Sequence, residues 1–427
     1  MTVASHPALW PSPWPAEDGG PLRQQVPHGV AGLGLAVGDE LEAVSRFAIA
    51  STMTVLRDPG EVYLLSHNAG DGAVSWVEQL HPHTLEPLRR SPDLPGGPIW
   101  PGGIAAHANG SLYVVFGRHA HRLSSDLQVL ATVELPRDRP YNSFVVLPDG
   151  CLAMKDFGGA RPGKPDGDDL SGTELLVLEP EALRIVARCS LPEPSIARLS
   201  ADGDDIYVVG DTSLLRVRWT GTGLVFDEAF RPVYRTLEGQ TYGWDAVLAD
   251  GAAWFLDNGA GNERYAGSFR GVGISAAPLH LVRVGLADGE VQLTEICGLP
   301  NGLIANPPVV DVAHRVAVGY DSSNGVVSAF RFDEHGVTAP LWSKAMQQAA
   351  HPLLFPDTGE VVLFDFDPER NMDQAVVLRI ETGEEMARVD TGSPVQSVVF
   401  GGVGWERDLY ICSFATVSRV SVRAPRQ

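Results

Sequence analysis

The chain has 427 residues and a formal net charge of −21, from 32 Lys and Arg against 53 Asp and Glu. This balance argues against a surface for nucleic acids or anionic membranes, because both require basic patches. A hydrophobic content of 44% with 46 Gly and 32 Pro is typical of a turn-dense all-β protein with a large core.

Residues 1–40 are rich in Pro, Gly and Trp and have no period, so we interpret them as an arm before a single domain at 41–427. Trp10 and Trp14 would pin this arm to the domain, and the alternative is a disordered leader. The first residues lack the basic and apolar regions of a signal peptide. Four widely spaced cysteines without zinc-site spacing favour free thiols and a cytoplasmic location.

One phrase recurs from Met53 onward: an apolar run, a turn, a second apolar run and a closing acid. Residues 244–257 show it, with Asp250-Gly251 as the hairpin turn. Such hairpins start near residues 53, 102, 142, 195, 243, 305, 351 and 395. Two more β-like runs follow each hairpin, and four strands per repeat of roughly 40 to 60 residues predict propeller blades. We therefore predict an all-β propeller with eight four-stranded antiparallel blades, and seven blades as the alternative.

The final repeat contains a hairpin at 397–412 and only one further run, at 417–422. The apolar run at 43–50 belongs to no repeat. We expect it to supply the missing outer strand, so that N- and C-terminal strands close the ring and remove its exposed edges.

The innermost strand of a propeller blade starts on the face where the second strand ends. Three long segments follow second strands, at 158–172, 259–278 and 368–374, so they are expected to gather on that face. Long loops at one end of a rigid scaffold are where function concentrates. The sequence therefore nominates this face and the central funnel beneath it.

Polar residues occur at some predicted starts of innermost strands, where the other repeats have Gly, Ile, Ala or Gln. They are Asn142, Asp245, Asn306 and His351. Because they depart from the repeat, they are better functional candidates than the five acids that close second strands. Those repeated acids, which favour turn capping, are Asp156, Asp211, Asp257, Asp321 and Asp365.

From these positions we predict three sets of site residues. The catalytic proton acceptors are Asp245 and His351. The ligands of a hard divalent cation such as Ca²⁺ are Asn142 and Asp245. The substrate-binding residues are Trp244, Tyr141, Asn306 and Asn258.

Residues 142–156 and 244–257 resemble blades of the six-bladed SMP-30/gluconolactonase/strictosidine-synthase-like propellers, which carry similar Asn and Asp-Gly phrases. The resemblance implies that Asn142 and Asp245 hold a divalent cation and that the chain opens lactones. No glutamate matches the family's third type of ligand, and the blade count differs.

Residues 308–333 and 376–383 resemble the repeats of eight-bladed quinoprotein-type propellers. Those enzymes bind pyrroloquinoline quinone through Trp-bearing motifs and, in many members, an adjacent Cys pair. This chain has neither feature, so the resemblance implies the fold and no quinone cofactor.

The leading hypothesis is metal-assisted hydrolysis of a lactone or similar ester in the funnel, with a small molecule as the partner. One alternative is a non-catalytic scaffold or ligand-binding propeller, and another is a lyase or isomerase that uses no metal. Polar groups that converge in the funnel would favour an enzyme, whereas an apolar patch on the rim would favour a scaffold. The sequence leaves the oligomeric state open.

Overall fold

The computed structural model describes residues 6–36, 38–70, 72–158 and 171–423, apart from the side chain of Asn142. The strands form eight antiparallel sheets whose innermost strands contact each other around a central channel. The predicted all-β propeller is therefore confirmed, with eight blades instead of seven. Across the described ranges, no helix is both long and apolar enough to span a bilayer.

The strands follow the chain, with four consecutive strands to a blade. The first strand, β1 (Leu41–Phe47), joins the last blade. Blade 1 contains β2 (Ser51–Leu56), β3 (Val62–His67), β4 (Val74–Leu80) and β5 (Pro87–Arg90), with β6 (Leu94–Pro95) beside β4. Blade 2 contains β7 (Gly103–Ala106), β8 (Leu112–Phe116), β9 (His119–Leu123) and β10 (Val129–Glu134). Blade 3 contains β11 (Tyr141–Val146), β12 (Leu152–Asp156), β13 (Glu174–Leu178) and β14 (Ile185–Ser190).

The second half of the ring has the same order. Blade 4 contains β15 (Ser200–Asp202), β16 (Asp205–Val209), β17 (Leu214–Trp219) and β18 (Leu224–Phe226). Blade 5 contains β19 (Val247–Ala249), β20 (Ala252–Leu256), β21 (His280–Gly285) and β22 (Val291–Glu295). Blade 6 contains β23 (Val309–Asp311), β24 (Val316–Asp321), β25 (Val326–Phe332) and β26 (Thr338–Ala345). Blade 7 contains β27 (Leu353–Phe355), β28 (Glu360–Asp367), β29 (Met372–Arg379) and β30 (Glu385–Asp390). Blade 8 contains β31 (Gly401–Val403), β32 (Asp408–Cys412), β33 (Thr416–Val422) and β1.

Burial follows the position of a strand in its blade. Second strands such as β8 and β20 are buried along their whole length, because neighbouring blades cover both of their faces. Outer strands such as β14 alternate between half-buried and exposed residues, because only one face packs. The hairpin turn of blade 5 places Asp250 and Gly251 at φ values of 50° and 68°, the sign that a two-residue type I′ turn requires.

Strand β1 pairs antiparallel with β33 through seven residue pairs, from Leu41 with Val422 to Phe47 with Thr416. The predicted closure of the ring is therefore confirmed, although the strand starts earlier and ends earlier than the apolar run at 43–50. After Phe47 the chain crosses to blade 1, and there the Ala50 N–H donates to the His67 carbonyl.

A chain that starts at residue 48 should unfold at a lower temperature than one that starts at residue 41. Both lack the arm, but only the shorter chain loses the seven pairs with β33 and the buried Leu41. Burying one leucine side chain stabilises a fold by about 1.5–3 kcal/mol, and an exposed β33 edge invites aggregation. Calorimetry at matched concentrations measures the difference, and equal melting temperatures would contradict the closing role of β1.

The arm before β1 enters the central channel, and we call its residues 14–25 the plug. Its Trp14 is 1% exposed, which supports packing over a disordered leader. Carbonyls of the plug accept hydrogen bonds from the innermost strands of five blades, at distances of 2.7–2.9 Å. The donor and acceptor pairs are Leu56 to Trp14, Ala106 to Pro15, Ala201 to Pro21, Leu248 to Leu22, and Leu354 to Gln25. The plug therefore pairs with inward strand edges that would otherwise face an open channel.

Candidate functional site

A cavity of about 250 Å³ lies at the end of the channel where the innermost strands begin. Nine of its lining residues come one to three positions before an innermost strand, on blade 2 and on blades 4 to 8. Among them are Arg198, Trp244, Asn306, His351 and Phe400. The repeated geometry of the blades thus directs side chains from six blades toward the same space.

A long segment of blade 5 covers this cavity, and we call residues 259–278 the lid. Its Asn262, Glu263, Tyr265 and Phe269 line the cavity. Gln396, just before blade 8, holds the lid with three hydrogen bonds. Its backbone carbonyl accepts from Tyr265 Oη at 2.8 Å, and its side-chain Oε1 accepts from the Phe269 N–H at 2.7 Å. Its backbone N–H donates to the Gly267 carbonyl at 2.9 Å. The lid therefore crosses the mouth from blade 5 to blade 8.

Two other long segments were expected on this face. In the first, residues 159–170 lie outside the described part of the chain. The second, at 368–374, is a four-residue turn at 368–371 followed by strand, because β29 already begins at Met372. The expectation of a long loop there is wrong, since strands β28 and β29 extend beyond their apolar cores.

Charged residues of the plug form the floor of the cavity. The guanidinium of Arg23 donates to Asp18 Oδ2 at 2.8 Å and to Glu17 Oε2 at 2.7 Å, and Arg198 Nη1 donates to Glu17 Oε1 at 3.0 Å. Each of these side chains is at most 5% exposed. Buried charges are tolerated only when they are paired and hydrogen-bonded, and this network pairs them across the channel.

His351 lies between this floor and the cavity. Its Nδ1 is 2.8 Å from Asp18 Oδ1, and its ring stacks on Phe400 with centroids 3.9 Å apart. The other ring nitrogen, Nε2, has no hydrogen-bond partner among the described residues, and His351, although only 1% exposed, lines the cavity, so Nε2 remains available to a ligand there. Burial alone would raise the pKa of Asp18, but His351 and Arg23 lower it below its ordinary value. An ionised Asp18 then accepts a hydrogen bond from Nδ1 and orients the imidazole.

Arg198 is the second group that faces both the floor and the cavity. Nη2 donates to the Pro101 carbonyl at 2.7 Å, and the guanidinium carbon lies 4.6 Å from the centre of the Phe400 ring. Its Nε lies 4.0 Å from Asp245 Oδ2, too far for a hydrogen bond, so that N–H is unused among the described residues. A fixed guanidinium that lines the same cavity as the imidazole can stabilise negative charge that develops there.

Asp245 is fully buried below the cavity and does not line it. Its Oδ1 accepts the Arg198 N–H at 2.6 Å, while its Oδ2 has no hydrogen-bond partner. Burial raises the pKa of Asp245 above its ordinary value, although Arg23 and Arg198 oppose the shift.

The residues around Asp245 do not fit the predicted divalent cation. The free oxygen Oδ2 lies 4.0 Å from a guanidinium nitrogen, and a second guanidinium, on Arg23, acts on the same carboxyl. In the described ranges, no group of three or more His, Cys, Asp or Glu is placed to hold a metal ion. The side chain of Asn142, the other predicted ligand, lies outside the described residues; its backbone is in β11.

The predicted substrate-binding residues divide into two pairs. Trp244 and Asn306 line the cavity, and Asn306 Nδ2 also donates to the Val398 carbonyl at 3.1 Å. Tyr141 and Asn258 do not line it. The Tyr141 hydroxyl accepts from the Arg137 N–H at 3.4 Å, and Asn258 is buried with its amide bonded to loop backbone. The structure thus brings Trp244 and Asn306 together with His351, and leaves Tyr141 and Asn258 in the surrounding framework.

Four of the five repeated acids at the ends of second strands accept backbone N–H groups, in addition to side-chain donors such as Arg139 at Asp156 and Gln240 at Asp257. Asp156, Asp257 and Asp365 each accept one at 2.6–2.8 Å, from Glu174, His280 and Gln347 respectively. Asp321 accepts three such bonds. This agrees with a capping role, because short acidic side chains stabilise turns in this way. Asp211 differs, because burial raises its pKa to about 6.

Lys155 is a buried cation beneath the same floor, and it donates to the Ser195 carbonyl at 3.0 Å. Burial lowers its pKa from 10.5 to about 7, although Asp156 and Asp245 oppose the shift. The folded protein therefore binds this proton less tightly than the unfolded chain does.

The wild type should gain stability relative to the variant Lys155→Met as pH rises from 7 to 9. Between the folded pKa of about 7 and the unfolded value of 10.5, only the unfolded state keeps the proton, so deprotonation favours folding. Two pH units correspond to about 2 kcal/mol at most for one group. Urea unfolding at both pH values measures this, and a pH-independent difference would contradict a buried, neutralised lysine.

A second cavity of about 350 Å³ lies at the opposite end of the channel, among the plug and the hairpin turns near Pro148 and Gly203. It is larger but holds neither the imidazole nor the guanidinium that face the first cavity. Burial lowers the pKa of its His6 to about 4, so this histidine stays neutral near pH 7. The first cavity is therefore the better functional candidate.

No protein-family model matches the chain, and no curated protein matches it either. Solved structures do resemble it. The quinohemoprotein alcohol dehydrogenase ADHIIG from Pseudomonas putida HK5 aligns over 98% of this chain and 82% of its own, at 10% identity and a TM-score of 0.60. A europium-containing methanol dehydrogenase aligns over 94% and 89%, at 9% identity and a TM-score of 0.59. BamB from Moraxella catarrhalis aligns over 90% and 99%, at 12% identity and a TM-score of 0.51.

Identities of this size show the fold alone. The similar structures agree with the predicted eight-bladed propeller and with the resemblance of its repeats to quinoprotein-type propellers. They do not show the SMP-30-like family. Function must therefore be argued from the cavity.

Proposed function

We propose that the protein is an enzyme that acts on a small organic molecule in the cavity by general acid–base chemistry. The observation that carries this proposal is the Asp18–His351 pair at a lidded cavity that Arg198 also lines. Groups that supply proton transfer and charge stabilisation thus converge on one enclosed space, which supports an enzyme over a scaffold.

Hydrolysis of an ester or lactone is the reaction we favour. His351 accepts a proton from a water molecule as it attacks the carbonyl, and later returns that proton to the leaving oxygen. Arg198 stabilises the negative charge that develops on the carbonyl oxygen. We route no step through a metal ion, because the residues around Asp245 do not fit one. Asp245 then orients Arg198 by accepting a hydrogen bond from the backbone N–H of Arg198.

The partner in this proposal is a small molecule, with no nucleic acid or membrane involved. We place the reaction in the cytoplasm, which is supported by four cysteines that are all free thiols in the structure.

The proposal is tested by incubating the full chain with a panel of aryl esters and lactones in H₂¹⁸O. Hydrolysis places one ¹⁸O in the acid product, and we expect turnover to survive exhaustive chelation. Turnover without ¹⁸O would replace hydrolysis by elimination or isomerisation at the same histidine. If chelation abolished turnover and Ca²⁺ restored it, the metal-assisted mechanism would be supported instead. Ligand binding without any turnover would support a ligand-binding propeller.

A further inference from the structure

The lid places a carboxylate at the cavity that has no ion-pair partner in the described part of the chain. Glu263 lies in the 3-10 turn Asn262–Arg264, lines the cavity and is half-buried. It makes no hydrogen bond or ion pair with any described residue. A carboxylate that is partly removed from water loses hydration, and a cationic partner would compensate for that loss.

The wall around Glu263 is aromatic. Six aromatic rings line the cavity, from blades 2, 5 and 8 and from the lid: Trp100, Trp244, Tyr265, Phe269, Phe400 and Phe414. Some of these rings pack against each other, with Trp100 and Trp244 centroids 6.4 Å apart and Tyr265 and Phe269 centroids 5.1 Å apart. Aromatic faces carry a negative quadrupole, and several of them around one space attract organic ammonium groups.

The positive charge of Arg198 does not remove the preference of the cavity for an organic ammonium group. Its guanidinium is paired with Glu17 at 3.0 Å and faces the ring of Phe400, on the floor. The carboxylates of Glu17, Asp18 and Asp245 surround the guanidinium groups of Arg23 and Arg198, with the amine of Lys155 beneath them. A net charge of −21 on the whole chain adds a field that draws cations toward the surface.

We propose that the cavity recognises an organic ammonium group, which sits between Glu263 and the aromatic wall. This inference rests on the proposed function and specifies its substrate class: an amine or quaternary ammonium compound whose other end reaches His351 and Arg198. The lid supplies both parts of the ammonium site, because the segment that carries Glu263 also contributes Tyr265 and Phe269 to the aromatic wall.

The test measures binding in the absence of any reaction, so its result is independent of turnover. Phenyltrimethylammonium is compared with its uncharged isostere tert-butylbenzene and with the anion benzoate, by calorimetry and by tryptophan fluorescence on the full chain. We expect the ammonium compound to bind at least 10-fold more tightly than the isostere, and the variant Glu263→Gln to remove most of that difference.

The matched control is Glu238→Gln, which neutralises an exposed carboxylate outside the cavity and should leave all three affinities unchanged. Binding of tert-butylbenzene as tight as that of the ammonium compound would overturn the inference, and so would tighter binding of benzoate. Equal losses in Glu263→Gln and Glu238→Gln would also overturn it, because the effect would then be one of overall charge. If no ester or lactone were hydrolysed but the ammonium compound still bound selectively, the proposed reaction would be rejected and this inference would stand.

Discussion

Replacing His351 with glutamine should lower kcat/KM for the best ester or lactone substrate by about 10²–10⁴-fold, the range that a positioned general base contributes. The glutamine amide can still donate to Asp18 and keeps a similar volume beside Phe400, so the fold should remain. What it loses is the ring nitrogen Nε2, which the structure leaves free at the cavity.

The chain supplies a matched control for this experiment in a second histidine–aspartate pair. His280 Nδ1 lies 2.9 Å from Asp257 Oδ2, with both side chains buried, but His280 is not at the cavity. The variant His280→Gln should change stability and leave kcat/KM close to wild type. Equal activity losses in the two variants would mean that His351 has a structural role only.

Asp18 acts through His351 in this scheme, so Asp18→Asn should lower kcat and leave KM nearly unchanged. Loss of the carboxylate removes the acceptor that holds Nδ1 at 2.8 Å and orients the ring for proton transfer, whereas substrate contacts stay in place. Steady-state kinetics measures both constants, and an unchanged kcat with lower stability would indicate a structural role for this carboxylate.

The repeat made much of the architecture predictable. Once the hairpin phrase is aligned, the unpaired run near Ala43 and the incomplete last blade imply ring closure, and Trp244, Asn306 and His351 fall at starts of innermost strands. The same periodicity placed the acids such as Asp257 at turn positions. These inferences needed only local pattern, because each blade repeats the same geometry.

The floor of the cavity was not predictable in this way. Arg198 holds the blade 4 position equivalent to His351, two residues before the innermost strand, but the aligned phrase pointed to Ile196 or Ala197 instead. A one- or two-residue error of register moves the polar side chain out of the predicted set. The plug has no repeat at all, and contacts such as Arg23 with Leu199 join residues far apart in sequence. Local pattern carries no information on such pairs.

Tyr141 and Asn258 show the opposite error. Tyr141 adjoins Asn142, which departs from the repeat, and Asn258 follows the repeated acid Asp257. In the structure their polar groups serve the backbone, and Asn258 adopts a φ of 61° that a short polar side chain tolerates. Being next to a site residue does not determine which way a side chain points, because successive strand residues face opposite sides.

Replacing Arg23 with methionine should destabilise the folded protein by about 3–5 kcal/mol, the usual cost of leaving buried charges unpaired. The guanidinium donates to Glu17 and Asp18, to Ser143 Oγ at 2.7 Å and to the Leu199 carbonyl at 2.8 Å. A methionine fills similar space but satisfies none of these acceptors. Lysine should rescue little, because one ammonium cannot reproduce the planar fork of four bonds.

Two further variants separate the charge effect from loss of packing. Adding Glu17→Gln to Arg23→Met removes one of the two carboxylates that lose Arg23 as a partner and should recover part of the stability, a coupling that a double-mutant cycle measures. Arg218 is the control: it makes two bonds to Asp205 but its side chain is 64% exposed, and Arg218→Met should cost far less stability than Arg23→Met. Urea unfolding gives the change in the free energy of unfolding for each of these variants. If Arg23→Met costs no more than Arg218→Met, the buried ion network does not hold the plug, and the floor of the cavity is maintained by apolar contacts such as those of Trp14.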